Sequence, residues 1–141
     1  MKILLLNGAN MNMLGKRNTE LYGCDTLVTL EEKVVAFGAQ LGTVVECMQS
    51  NCEGELINIL QQTDVDAVVL NAGAYSHYSI ALRDCIECLG IPVAEVHMTD
   101  ISLRESFRHT DVLKDVCCGY FVGKGLQSYL DAVQFLVKKC D

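Results

Sequence analysis

A doubly wound α/β sandwich on a five-stranded parallel sheet is the fold this sequence predicts. Three observations predict it. Short apolar runs alternate with amphipathic stretches along the whole chain. The runs are apolar at consecutive positions, as strands covered on both faces must be. Two of them stop at turn signals, Asn7-Gly8 and Asn71-Ala72-Gly73.

KILLLNG (2–8) is the first strand. From Thr26 to Leu41, the residues Leu27, Leu30, Val34, Phe37 and Leu41 recur every three or four positions. That spacing makes an amphipathic helix, with Asp25 or Thr26 as N-cap and Gly42 as its stop. TVVECMQS (43–50) is the second strand, and Glu53 to Gln62 the next helix. DAVVLNAG (66–73) is the third strand, and Ser79 to Leu89 a helix stopped by Gly90 and Pro92. IPVAEVHM (91–98) and DVCCGYFVG (115–123) are the fourth and fifth strands, and Leu126 to Lys139 is the closing helix.

A chain of 141 residues, 50% hydrophobic and 21% charged, suits one domain, 1–141, with a real core. No repeat, linker or low-complexity stretch interrupts it. Eleven Lys and Arg stand against 18 Asp and Glu, a net charge of −7, with no basic stripe. Nucleic acid is therefore not an expected partner. No apolar run approaches the roughly 18–20 residues that span a bilayer, so no membrane is expected either. The opening MKILLLNGAN reads as a strand rather than a signal peptide, which makes a cytoplasmic location the expectation. Eight Cys is many for this length. Several lie in apolar runs as small hydrophobes, and Cys85 and Cys88 alone lack the further ligands of a structural zinc. Reduced, structural thiols and no metal are the reading, with a redox or metal role as the alternative.

Ligands of open α/β sheets bind beyond the carboxyl ends of the strands. Those ends carry Asn7, Asn10 and Asn12, then Asn51 and Glu53, then Asn71, Tyr75 and His77, then Glu95, His97, Thr99, Arg104 and Arg108. Amides, imidazoles and guanidiniums on one edge suit a small, oxygen-rich anion. The first loop, NGANMNMLGKRNTELYG (7–23), far exceeds the usual ~2–6 residues of such connections. It reads as a lid carrying Arg17 and Tyr22, with Gly15 and Gly23 as hinges. It is neither a Walker loop nor G-x-G-x-x-G, so a nucleotide is not supported.

The strings NGANMNMLGKR, ELYG, QSNCEGELI, NAGAYSHYSIALRD, IPVAEVHMTDI and RESFRH, in this order, resemble type II 3-dehydroquinate dehydratase over nearly the whole chain. The resemblance implies a flavodoxin-like fold and a dodecamer built as a tetramer of trimers. It implies conversion of 3-dehydroquinate to 3-dehydroshikimate through an enolate, with no cofactor, in the shikimate pathway or in quinate catabolism. By the resemblance, Tyr22 is the base. A free tyrosine is about 0.1% ionised at neutral pH, and a guanidinium such as that of Arg17, five residues away, favours the phenolate. Arg108 adds positive potential and binds a ring hydroxyl. His97 is the general acid, with Glu95 at i−2 on the same strand face to orient it and raise its pKa. Asn10 positions a water on the enolate oxygen. Asn71 and His77 hold substrate hydroxyls, and Met98 and Thr99 bind the carboxylate. Arg104 has a supporting role, and Asp84 reaches a neighbouring subunit's site.

Each residue also has a plainer reading. Tyr22 can be a packed loop end and Arg17 a solvated charge. His97 can be a satisfied strand-end histidine and Asn10 an Asx-turn residue, the role expected for Asn12. Arg104 and Asp84 can be solvated charges or subunit salt bridges. The chain departs from the family pattern at Ala9, Cys52, Ala72, Thr99 and Asp100. Asp100 puts an extra carboxylate beside the carboxylate-binding turn unless it points away. Three rival readings remain: a Schiff-base dehydratase, which needs a desolvated Lys; a non-catalytic flavodoxin-like module; and a thiol redox or metal protein on Cys85 and Cys88.

Overall fold

A computed structural model describes residues 1–141. Five strands form one all-parallel sheet: β1 (Lys2–Asn7), β2 (Val44–Gln49), β3 (Ala67–Asn71), β4 (Val93–His97) and β5 (Gly119–Val122). Their order is β2-β1-β3-β4-β5, the flavodoxin-like doubly wound arrangement. The helices are α1 (Thr19–Tyr22), α2 (Leu27–Gln40), α3 (Glu53–Gln62), α4 (Ile80–Cys88) and α5 (Leu126–Cys140).

Successive strand side chains point to opposite faces, so a sheet covered twice needs apolar residues at every position. Ile3, Leu5, Val69 and Val96 meet Leu30 and Val34 of α2 and Tyr129, Val133 and Leu136 of α5. Leu4, Leu6, Val68 and Leu70 meet Leu56 and Leu60 of α3 and Leu82 and Ile86 of α4. Two helix starts, those of α2 and α4, are capped by hydroxyls: Thr26 Oγ1 accepts from the Thr29 N–H at 3.3 Å, and Ser79 Oγ from the Leu82 N–H at 3.0 Å.

Two expectations need correction. The fifth strand begins at Gly119, not at 115, because Lys114–Val116 form a 3-10 turn. Val116 and Cys117 pack on the core beneath α4 instead of pairing, and an apolar run alone does not distinguish the two fates. The long first loop is not wholly free. Met11 and Leu14 are buried in the core, Met11–Met13 form a 3-10 turn and Thr19–Tyr22 a helical turn. All eight thiols are free; Cys85 is buried and Cys88 exposed, so they lie on different faces of α4.

The ends of β1 and β3 touch through glycine. The Gly8 N–H donates to the Asn71 carbonyl at 2.7 Å, and a Cβ on Gly8 would strike the Ala72 carbonyl. Gly73 has φ +63°, and a Cβ there would lie 2.7 Å from the Ala9 carbonyl oxygen. Both obstacles are backbone and cannot swing away. Gly8→Ala is expected to cost roughly 1–3 kcal/mol. Gly54→Ala, with open space around it in α3, is expected to be neutral or to gain up to about 1 kcal/mol. Thermal unfolding of the two variants side by side measures this; equal Tm values would refute the close-approach argument.

Candidate active site

The carboxyl ends of β1, β3 and β4 open into a cavity of about 160 Å³. That is well below the roughly 300–1,000 Å³ of drug-sized pockets, so the ligand it suits is small. Of the residues singled out in the sequence, Asn10, Arg17, Tyr22, Asn71, His77, His97, Met98, Thr99, Arg104 and Arg108 line it. Glu95 does not line it, being fully buried behind His97. Asp84 is exposed on α4, outside the cavity.

One wall is cationic and centres on Tyr22. Arg17 Nη2 donates to the Tyr22 hydroxyl oxygen at 3.1 Å, and its guanidinium lies over the ring, 3.9 Å from the centroid. Arg104 Nη1 donates to the same oxygen at 2.6 Å. The second guanidinium on the phenol is therefore Arg104, expected only in a supporting role. Arg108 lines the cavity while its Nε donates to Glu105 at 2.7 Å. Nothing local in the sequence links Arg104 to Tyr22, which lies 82 residues earlier; the first loop brings them together.

Another part of the lining carries an imidazole between carboxylates. His97 Nε2 lies 2.7 Å from Glu95 Oε1 and 3.3 Å from Asp111 Oδ2. Both carboxylates engage one nitrogen, leaving Nδ1 for the cavity. Asp111 was not singled out in the sequence. Its only local signal is an Asx-turn, in which Oδ1 accepts from the Leu113 and Lys114 N–H groups at 2.9 and 3.1 Å. Burial alone would lower the His97 pKa, but the Asp111 and Glu95 carboxylates outweigh it and push it up to about 9. Burial pushes Glu95 up to about 8, against the pull of His97. Asp111 goes down to about 2, because hydrogen bonds from His97, Glu95 and the Leu113 N–H overcome its burial.

Glu95, His97 and Asp111 also bring three potential ligand atoms within 4.8 Å. Tetrahedral zinc ligands about 2.0–2.2 Å from the ion sit roughly 3.3 Å apart. The 2.7 Å between Nε2 and Oε1 is instead a hydrogen-bond distance, so the geometry suits a shared proton better than an ion.

The floor is built from amides. Asn71 Nδ2 donates to the Tyr129 hydroxyl at 2.7 Å, and Asn71 Oδ1 accepts from the Gly73 N–H at 3.1 Å. Much of its polar capacity thus serves the fold. His77 Nδ1 lies 2.8 Å from the Thr110 carbonyl oxygen, which leaves Nε2 free. Asn10 is the one non-glycine residue with positive φ, 68°, and its N–H donates to Asn51 Oδ1 at 2.9 Å. Asp100 turns away from the cavity: its Oδ1 accepts from the Ser102 N–H at 3.0 Å and from the Ser102 hydroxyl at 2.5 Å. The turn after β4 is therefore spared the extra carboxylate.

A family model described as dehydroquinase class II matches residues 1–137. The chain is 47% identical over 133 residues to a 3-dehydroquinate dehydratase of Leptothrix cholodnii, covering 92% of this chain and 89% of that protein. It is 46% identical over 140 residues to one of Bacillus cytotoxicus, covering 98% and 96%. Among solved structures, the type II dehydroquinase of Butyrivibrio crossotus superposes with a TM-score of 0.94 at 40% identity, covering 96% of this chain and 97% of that one.

The raised His97 and Glu95 values carry a consequence for stability. The folded chain keeps a proton on His97 between its ordinary value of 6.5 and about 9. It keeps one on Glu95 between 4.5 and about 8. The unfolded chain releases both earlier, so stability falls as pH rises through these windows. Asp111 works in reverse, its contribution being lost as pH falls towards about 2. Urea unfolding is expected to show stability falling steadily as pH rises from about 6 to about 9.5. A flat profile would contradict the shared-proton arrangement.

Proposed function

The chain belongs to the class II dehydroquinase family, and we propose from this premise how its residues carry out the reaction. The enzyme is a hydro-lyase that dehydrates 3-dehydroquinate to 3-dehydroshikimate in the shikimate pathway, and residues 1–141 act as one catalytic domain. The observation that carries the mechanism is one cavity lined by a phenol held by two guanidiniums and an imidazole held by two carboxylates.

Tyr22, as the phenolate, removes the proton from C2 of the substrate. Arg17 and Arg104 stabilise the negative charge on its oxygen beforehand, since a guanidinium stays charged and donates in a fixed fork. The electrons move into the ketone and give an enolate. Asn10 orients a water on the enolate oxygen, and neutral donors aimed at developing charge stabilise it without a metal. The enolate then collapses, expelling the C1 hydroxyl, which His97 protonates from Nδ1 so that it leaves as water. Glu95 orients the ring from behind. His77, through Nε2, holds a ring hydroxyl, and Asn71 holds another with the N–H that rests weakly on Met11 Sδ at 3.6 Å. Arg108 takes another, and the turn at Met98 and Thr99 holds the carboxylate. That turn is fixed by the Gly125 N–H donating to the Met98 carbonyl at 3.0 Å. No lysine lines the cavity, which weighs against a Schiff-base route.

The same reading includes assembly as trimers within a dodecamer. It is supported by exposed Tyr78, Ile80, Leu103 and Phe107, each within three residues of a cavity-lining residue, and by exposed Asp84. Light scattering on the purified protein checks it. No helix is long and apolar enough to cross a membrane, and a cytoplasmic location is part of the proposal.

The test is the ultraviolet absorbance of the conjugated enone carboxylate after adding 3-dehydroquinate, with and without chelator. Turnover is expected in both, and none in either would end the assignment. Tyr22→Phe is expected to lower kcat by about 10²–10⁴ with KM within a few-fold, and Arg104→Ala to fall on the same side. His97→Ala is expected to slow enone formation more than deuterium wash-in at C2. Equal losses in the two readouts would remove His97 as the acid.

A further inference from the structure

Glu95 and Asp111 both reach His97 Nε2, yet their surroundings differ. Glu95 is fully buried, and its Oε2 has no hydrogen-bond partner. An ionised carboxylate with one bare oxygen in an apolar interior is costly. Asp111 receives three donors: the Leu113 and Lys114 N–H groups on Oδ1 and the imidazole on Oδ2. Three donors to one carboxyl group favour its ionised form. We propose that Asp111, not Glu95, supplies the counter-charge that holds His97 as the imidazolium, and that it is a positioning residue for the acid. Glu95, carrying its own proton, serves as a neutral acceptor that fixes the ring plane.

This deepens the reading above and rests on His97 acting as the acid. The other groups facing the ring support the assignment. Tyr120 of β5 meets it edge-on, with centroids 6.0 Å apart. Burial pushes the Tyr120 phenol and the Cys117 thiol well up, so both stay neutral. Asp115 is paired with Arg83, and Lys114 lies over the Tyr120 ring. On the cavity side stand His77 and Arg108. Asp111 is the negative charge left to face the ring at neutral pH.

The experiment follows the His97 ring by NMR in the substrate-free protein, identified by the signal lost in His97→Gln. This readout does not depend on turnover, so it fails separately from the enone assay of the wild type. Asp111→Asn keeps the acceptor for Leu113 and Lys114 but removes the charge. It is expected to lower the His97 midpoint by about one pH unit or more, and to bring the alkaline limb of kcat down with it at unchanged KM. Glu95→Gln, which copies the protonated acid, is expected to move the midpoint less. Asp111→Ser keeps the turn through its hydroxyl and repeats the result should Asp111→Asn fold poorly; Asp111→Glu is expected to restore the midpoint. A larger shift in Glu95→Gln, or an unmoved midpoint in folded Asp111→Asn and Asp111→Ser, overturns the proposal and leaves Asp111 a turn cap only.

Discussion

The site hangs from one buried hydroxyl. Tyr129 of α5 is wholly enclosed in the core, and its oxygen joins two strand ends. It donates to Asn7 Oδ1 at 2.7 Å and accepts from Asn71 Nδ2 at 2.7 Å. Asn7 and Asn71 are register partners at the last rung of β1 and β3. That is the point where strand order reverses and a doubly wound sheet opens its crevice. Buried amides are tolerable mainly when hydrogen-bonded, and the shared hydroxyl satisfies Asn7 Oδ1 and Asn71 Nδ2, while Asn7 Nδ2 stays buried without a partner. Because the two strand ends are locked to each other and to α5, the loops that leave them start from fixed positions. Gly8 and Gly73 then let those loops run almost in contact.

From this floor the charges separate into two poles. A chain with a net charge of −7 gathers Arg17, Arg104 and Arg108 around one cavity, so its local potential opposes its global charge. Field inside a narrow, half-dry cleft is set by the nearest groups, and distant surface carboxylates are screened within about 8 Å at physiological salt. The other pole is carboxylate around imidazole. A phenol held by guanidiniums and an imidazole held by carboxylates thus sit at one site with partners of opposite charge.

Much of the architecture was legible because its physics is local. Consecutive apolar residues identify β1 and β3, since only a doubly covered strand needs them. Thr26 and Ser79 identify helix starts, since a hydroxyl there satisfies free N–H groups. Glu95 and His97 could be placed on one face from alternation alone. The fifth strand was overextended because Val116 and Cys117 are equally apolar whether they pair or pack. Arg104 against Tyr22, Asp111 against His97, and Tyr129 between two asparagines are contacts between elements far apart in the chain. No spacing rule reports them. Asp111 looked like a turn residue because it is one, and its second carboxylate oxygen is what meets the ring.

The two poles differ in how firmly they are held, and the chemistry explains the difference. On the proposed mechanism the acid must keep its proton before substrate arrives. Its partners therefore sit on β4 and on a backbone-bonded turn, where they cannot drift from the ring. The base must avoid being quenched by water. Its oxygen takes one donor from its own loop and one from the loop after β4. Met11 and Leu14 pin the first half of the loop, and the stretch beyond Leu14 that carries Arg17 and Tyr22 is bounded by positive-φ Gly15 and Gly23. Swinging outward would carry Tyr22 away from Arg104 and strip the phenolate of half its support. Both guanidiniums reach the phenol oxygen only when the loop covers the cavity, which ties proton abstraction to the exclusion of water by geometry alone.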